Sequence, residues 1–203
     1  MDDALKTGKT FDAIAEHFDK TRNRPWKEVI KFLEEGKGRL LDMGCGNGRH
    51  SKVAMDLGYR VVGLDASGEL LKICKGKPIE AHWVQGDVKT LPFNSHSFDR
   101  LICIAVIHHL RDLRVEALKE MRRVLNIGGK ILISVWAREL ERWDLEENER
   151  DTMVPWHRED GTIIDRFYHL YTLDELVNDV EMGGFTVTYK YRSGGNNYVE
   201  ACR

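Results

Sequence analysis

The stretch that most constrains this chain is Leu40-Leu41-Asp42-Met43-Gly44-Cys45-Gly46-Asn47-Gly48-Arg49-His50. Two apolar residues lead into an acid, and Gly44, Gly46 and Gly48 then alternate with larger residues. The pattern predicts a buried strand ending in a turn where backbone approaches a ligand closely, with a helix beginning near Arg49. Glycine suits that turn because it tolerates positive φ and has no Cβ to block the ligand. The helix behind it offers unpaired N–H groups to an anionic group. The spacing is Gly-x-Gly-x-Gly and not the Gly-x-Gly-x-x-Gly of the dinucleotide fingerprint.

The context of the loop strengthens the reading. Arg60-Val61-Val62-Gly63-Leu64-Asp65-Ala66-Ser67 is a second apolar strand ending in an acid, with Asp65 lying 21 positions after Gly44. That is the placement of a carboxylate that grips ribose hydroxyls. Asp65 alone would read equally as a helix cap. Strand, glycine turn, helix, strand and acid in this order favour a nucleotide site.

The chain has 203 residues, enough for one α/β domain with a sizeable core. No run of eighteen apolar residues is present, so no membrane span is expected, and the N-terminus lacks a signal-peptide layout. Cys45, Cys74, Cys103 and Cys202 are scattered, which suggests neither a metal site nor a disulfide framework but reduced thiols in a cytoplasmic protein. A net charge of −2 argues against binding nucleic acid through overall charge, though not against a local basic face.

Further along, residues 1–10 read as polar and ragged, Phe11–Phe18 as a short helix, and Pro25 as the first residue of a helix carrying Trp26, Val29, Ile30 and Leu33 on one face. Gly68–Lys75 and Val115–Leu125 read as helices; His82–Asp87, Phe98–Ala105 and Lys130–Trp136 read as strands, with Asn126–Gly129 as a turn. This alternation predicts a mainly parallel sheet with right-handed crossovers. Arg138–Asp151, with seven acids against three bases, reads as an exposed helix. Leu173–Met182 reads as a helix capped by Thr172, and Phe185–Tyr191 with Tyr198–Cys202 as a terminal antiparallel hairpin. In such a sheet a ligand sits beyond the strand carboxyl ends, near Asp42, the glycines, Asp65, Asp87, Val88 and Ile104.

With these residues in view, the Asp42–Gly48 loop resembles motif I of the class I S-adenosylmethionine-dependent methyltransferases. The resemblance implies a Rossmann-like α/β fold, mainly parallel with an antiparallel C-terminal strand, and S-adenosylmethionine as cofactor. It implies that Gly44, Cys45, Gly46, Gly48 and Ala66 line the cofactor. Asp42 would hold its methionine end, Asp65 its ribose, and Asp87 and Val88 its adenine, with Ile104 beside them.

A narrower resemblance rests on Ala15-Glu16-His17-Phe18-Asp19-Lys20-Thr21-Arg22 with Pro25-Trp26, on Ile104-Ala105-Val106-Ile107-His108-His109, on Val135-Trp136-Ala137, on Val154-Pro155-Trp156 and on Arg166-Phe167-Tyr168-His169-Leu170-Tyr171. These stretches are similar to the methyltransferases that esterify 5-carboxymethyluridine at the tRNA wobble position. Within these 203 residues the long charged insertion that the family carries before the position of Arg166 is not found, and the RNA-binding and oxygenase domains fused in some animal members are not expected. The resemblance implies one domain over 1–203, with an N-terminal helical cap over 1–35 and an acceptor-side insertion over 138–172. It implies tRNA as a partner, and a small zinc-binding activator protein pairing at the third-strand edge, where Trp83 and Val84 would form an exposed apolar border.

The chemistry is consistent. A carboxylate is already ionised at neutral pH, so its attack on a sulfonium methyl needs no general base. Charge disappears in that step, which favours a dry aromatic site and a cation that orients the carboxylate while leaving one oxygen free. Arg22 and Arg166 are the candidate cations, with Arg24 as a further substrate contact. Against each stands the ordinary reading of a surface salt bridge. His108 is the candidate histidine at the acceptor, with His109 as a turn residue. Trp136 is the candidate stacking platform, Trp156 and His169 are further substrate contacts, and Tyr168 reads equally as core or pocket. Lys20, Arg22, Arg24, Lys27 and Lys31 make the N-terminal segment basic. One rival reading is a methyltransferase of small carboxylic acids or lipid-like rings, since its cofactor core would look the same; the other is a cofactor-binding scaffold or activator subunit without chemistry of its own, which the retained glycines and acids disfavour.

Overall fold

Alternate residues of each central strand point to opposite faces of a sheet, and here both faces are apolar. The computed structural model describes residues 3–139, 143, 145–146 and 149–203. In chain order these residues form α1 (Asp3–Asp12), α2 (Ala15–Thr21), α3 (Lys27–Glu34), β1 (Arg39–Met43), α4 (Arg49–Asp56), β2 (Arg60–Asp65), α5 (Gly68–Lys75), β3 (His82–Gln85) and β4 (Phe98–Ile104). A 3₁₀ turn (Ile107–His109) is followed by α6 (Arg114–Val124), β5 (Leu125–Trp136), β6 (Asp151–His157), β7 (Ile163–His169), α7 (Leu173–Met182), β8 (Thr186–Ser193) and β9 (Asn196–Cys202).

The main sheet runs β3-β2-β1-β4-β5-β9-β8. The first five strands pair in parallel, and β9 is antiparallel to β5 and β8. Leu41, Leu64, Leu101 and Ile133 face α6 and α7, in a cluster with Leu118, Met121, Leu176 and Val180. Leu40, Val61, Ile102 and Leu132 face the other way, against Val29, Phe32 and Leu33 of α3 and Ala54 of α4. Each such side chain is fully buried, which stabilises the fold by about 1.5–3 kcal/mol per residue. The α/β class, the mainly parallel sheet and the antiparallel C-terminal strands are those expected from the sequence.

Several local expectations are corrected. Residues 3–12 are helical, not ragged, and the expected Phe11–Phe18 helix is broken at Ala13-Ile14. The expected Asn126–Gly129 turn falls within the span of β5 as an irregularity, since the pairing with β4 steps from Phe98–Leu125 to Arg100–Lys130 and Gly128 has φ +75°. Within Arg138–Asp151, Leu140, Glu141, Arg142, Asp144, Glu147 and Asn148 lie outside the described residues, and the described remainder is not helical. Residues 152–171 contain a second sheet, the β6–β7 hairpin. β3 is a sheet edge as expected, but Trp83 and Val84 are half-buried, not an exposed border. The Trp83 ring lies on the sheet face, so close over Gly63 that a Cβ there would meet it at 2.4 Å.

Candidate functional site

β1, β2 and β4 end on the same side of the sheet, and a cavity opens there between those ends, the α1–α2 helices and the β6–β7 hairpin. Its floor is the glycine loop. Gly44 has φ +64°, and a Cβ on it would lie 2.3 Å from Val106 Cγ2. Gly46 (φ +55°) donates its N–H to Asp65 Oδ2 at 2.8 Å. Ser67 N–H donates to the other oxygen, Oδ1, at 2.9 Å. Burial still raises the Asp65 carboxyl above its ordinary range, against these two hydrogen bonds. Asp42 lies behind the loop, 1% exposed, and accepts from Ser51 Oγ at 2.6 Å. Burial pushes it up to about 7, with the nearby Asp65 acting in the same sense.

Leu64, Asp65, Ala66, Asp87, Val88 and Ile104 line the same end. Asp87 is fixed by the Lys89 N–H, which donates to its Oδ1 at 2.8 Å. Ala105, after β4, has φ +59°. A left-handed alanine is strained backbone held by its surroundings, here by its N–H to Ser134 O at 2.9 Å. S-adenosylmethionine, the cofactor implied by the resemblance, fits this half. The glycine loop leaves little room for a side chain, a carboxylate stands ready for hydroxyls, and Leu64, Val88 and Ile104 add apolar lining. Cys45 and Gly46 line the cavity, whereas Asp42 and Gly48 support the loop from behind.

The other end is aromatic and cationic. Trp136 and Tyr168 stack with centroids 4.2 Å apart and planes inclined 20°. Trp156, 6% exposed, stacks on Phe18 and donates its Nε1–H to His17 Nδ1 at 3.1 Å. The Arg22 and Arg166 guanidiniums lie 4.9 and 4.8 Å from the Trp156 ring centre. Arg166 is 7% exposed, donates to Tyr168 Oη at 2.8 Å, and among the described residues leaves its Nε without a partner. Among the described residues no carboxylate forms an ion pair with it. Burial and the facing Arg22 charge hold its pKa below the usual value, opposed by Tyr168. A buried guanidinium without a counter-ion is costly unless an anion completes it.

Arg24, His108 and His169, named from the sequence, do not line the cavity. Arg24 is exposed. His108 is fully buried and accepts the Trp136 N–H at Nδ1, 3.0 Å away, so it supports the Trp136 platform from below. His169 is held between Asp151 Oδ1 at 2.6 Å, its partner across the hairpin, and Glu175 Oε1 at 2.8 Å, and the second of these bonds ties the hairpin to α7. His109 takes the place foreseen for His108. Its Nδ1 lies 2.9 Å from Phe167 O and must carry the proton, since a carbonyl only accepts. Burial lowers its pKa to about 4, so the ring is neutral at pH 7.

The sequence reading missed Arg49, Asn47, Phe11 and Trp26 as lining residues. Arg49 is pushed down to about 10 by burial and sits 5.4 Å from the Trp26 ring. Its place directly after Gly48 was the available signal. Among the described residues no group of three or more His, Cys, Asp or Glu side chains is arranged to hold a metal.

The Methyltransferase domain family matches residues 41–133. A protein of Encephalitozoon cuniculi named as a methyltransferase is 37% identical over 187 residues, covering 87% of this chain and 85% of that protein. The tRNA (carboxymethyluridine(34)-5-O)-methyltransferase alkbh8 of Xenopus tropicalis is 44% identical over 137 residues, 66% of this chain, and the chain spans 21% of that protein's length. For the tRNA (carboxymethyluridine(34)-5-O)-methyltransferase of Arabidopsis thaliana the identity is 39% over 66% of the chain, which spans 33% of that relative. Among solved structures, a complex of DhpI with SAM and HEP superposes with TM-score 0.78 at 22% identity, covering 96% of this chain and 94% of that one. A Haloferax volcanii methyltransferase complexed with the Trm112 methyltransferase activator gives TM-score 0.73 at 18% identity, covering 97% and 96%.

Proposed function

The chain belongs to the class I S-adenosylmethionine-dependent methyltransferases, and from that premise we propose that its acceptor is the carboxylate of 5-carboxymethyluridine at the tRNA wobble position. Bound S-adenosylmethionine supplies an electrophilic methyl group on a sulfonium sulfur. Asp65 would take the ribose hydroxyls and Asp87 and Val88 the adenine, while Asp42, behind the loop, would act on the cationic amino-acid end indirectly. The observation that carries the acceptor reading is Arg166, a buried guanidinium without a carboxylate partner among the described residues, beside Arg22 on the Trp156 ring.

In this reading Arg166 and Arg22 receive the acceptor carboxylate, and the stacked Trp136 and Tyr168 offer an aromatic wall for the uracil. The carboxylate arrives ionised, so no residue has to remove a proton. His109, neutral and with Nδ1–H committed to Phe167 O, serves as a wall. The chain's contribution is to position one carboxylate oxygen at roughly 3–3.5 Å from the methyl, away from water. The names of the frog and plant relatives support the acceptor. The open β3 edge, together with the activator complex of the Haloferax neighbour, supports a β3-edge activator protein as partner. The domain reading (N-terminal cap 1–35, acceptor-side insertion 138–172) and a cytoplasmic place of action belong to the same proposal.

The test is methyl transfer to an anticodon stem-loop RNA carrying 5-carboxymethyluridine, compared with unmodified RNA and with free carboxylic acids, in the presence and absence of a Trm112-type protein. Transfer confined to the carboxymethylated RNA supports the reading. Equal turnover of free carboxylic acids replaces it with a small-molecule acceptor.

A further inference from the structure

Arg22 has an exposed side chain, and its position depends on backbone that has just left α2, with φ −122° and ψ 53°. What fixes that backbone comes from the cofactor loop. Asn47, 2% exposed between Gly46 and Gly48, donates from Nδ2 to Arg22 O at 3.0 Å and to Asp19 Oδ1 at 2.9 Å. Lys77, just beyond α5, donates from Nζ to the same Asp19 oxygen at 2.5 Å and to Asn47 O at 2.9 Å. Burial pushes the Asp19 carboxyl up, but Lys77 and Asn47 outweigh it and hold the group below its ordinary value. Both hydrogens of the Asn47 amide are therefore spent on the Arg22 segment, while its Oδ1 is buried in the cavity wall without a partner among the described residues.

Asn47 is carried by backbone that stands in the left-handed region on both sides, Gly46 at +55° and Gly48 at +79°. Any change in the loop when the cavity fills moves Nδ2, and with it the Arg22 carbonyl. We infer that Asn47, Asp19 and Lys77 are positioning residues that link the cofactor loop to Arg22, so that acceptor recognition tightens only after the cofactor is bound. The inference rests on the proposed role of Arg22 at the acceptor. Asn47 itself lines the cofactor cavity, so the informative substitutions are at Lys77 and Asp19, which lie outside it.

The experiment is amide hydrogen exchange over residues 18–24 of the full chain, with and without S-adenosylmethionine, in the wild type, Lys77→Met, Lys77→Arg and Asp19→Ala. The cofactor is expected to slow exchange of this segment by about fivefold or more in the wild type and by less than about twofold in Lys77→Met and Asp19→Ala. Lys77→Arg should restore the effect, because it keeps the charge. Cofactor affinity should stay within about threefold throughout, and KM for the carboxymethylated stem-loop should rise about tenfold in the two disabled variants. A merely structural role would lower stability without changing how the segment answers to cofactor. Equal cofactor-dependent slowing in wild type and Lys77→Met overturns the linkage. If the wild type transfers no methyl to the RNA, the acceptor reading fails, while the exchange comparison still decides the linkage.

Discussion

Replacing Arg166 by methionine should separate stability from activity. In the folded protein the guanidinium is 7% exposed and meets Tyr168 Oη at 2.8 Å and the rings of Trp156 and Tyr168 at 4.8 and 5.2 Å. Removing it forfeits one hydrogen bond from a charged group, about 1.5–3 kcal/mol, and cation–π contacts worth about 0.5–2 kcal/mol. It also removes the several-kcal/mol penalty of burying a charge without a counter-ion, and replacing buried ions by apolar groups of similar volume ranges from neutral to about 4 kcal/mol stabilising. The two sides nearly cancel, so urea unfolding should show a change within about 2 kcal/mol in either direction. Activity has no such compensation. A hydrogen bond to a charged group contributes about 1.5–3 kcal/mol, so kcat/KM for the carboxymethylated RNA should fall roughly 10- to 150-fold. S-adenosylmethionine affinity, measured by calorimetry, should be unchanged. Two results would refute the reasoning: undiminished turnover, or a loss of activity that merely tracks a fold destabilised by more than about 3 kcal/mol.

Three further outcomes follow from the geometry. Gly44→Ala places a Cβ 2.3 Å from Val106 Cγ2 at φ +64°, a strain of at least about 1–2 kcal/mol, so cofactor affinity should fall tenfold or more; retained affinity would show that the loop can relax. Asp42, with its pKa raised to about 7, is roughly half protonated at pH 7 in the free protein; a bound ammonium group favours the ionised form, so binding should release about half a proton and affinity should rise from pH 6 to 8. Calorimetry in buffers of different ionisation enthalpy reads that proton, Asp42→Asn should abolish it, and a buffer-independent heat would contradict it. His169→Ala removes the bond to Asp151 within the hairpin and the bond to Glu175 that ties the hairpin to α7, so stability should fall by about 2–3 kcal/mol and acceptor KM should rise while cofactor affinity holds; an unchanged KM would make the tie irrelevant to the acceptor.

The cofactor half was legible in the sequence because its signals are local. Alternate glycines, an acid at each strand end and alternating strands and helices follow from backbone geometry over a few residues. The acceptor half depends on tertiary contacts. α1 is polar and carries Gly8, yet it forms because it docks: a Cβ on Gly8 would lie 2.8 Å from Ala66 O, and Asp12 accepts from Ser67 Oγ at 2.6 Å and Glu69 N at 3.0 Å. The β6–β7 hairpin turns at Asp160-Gly161, with Gly161 at φ +82°, a signal that the sequence reading did not use, and proline at 155 is unusual within a strand. Among the described residues β6 pairs only with β7, and such an edge tolerates proline. Between His108 and His109 no periodicity decides, since both lie in one 3₁₀ turn and only its packing turns one ring to Trp136 N–H and the other to the cavity.

The most direct measurement is transfer of labelled methyl from S-adenosylmethionine to an anticodon stem-loop bearing 5-carboxymethyluridine, with the same RNA bearing uridine as control and a Trm112-type protein present. Label that appears only on the carboxymethylated RNA and is released by mild base, as a methyl ester must be, is the predicted result. Base-stable label, or equal label on the uridine control, would contradict a carboxylate acceptor.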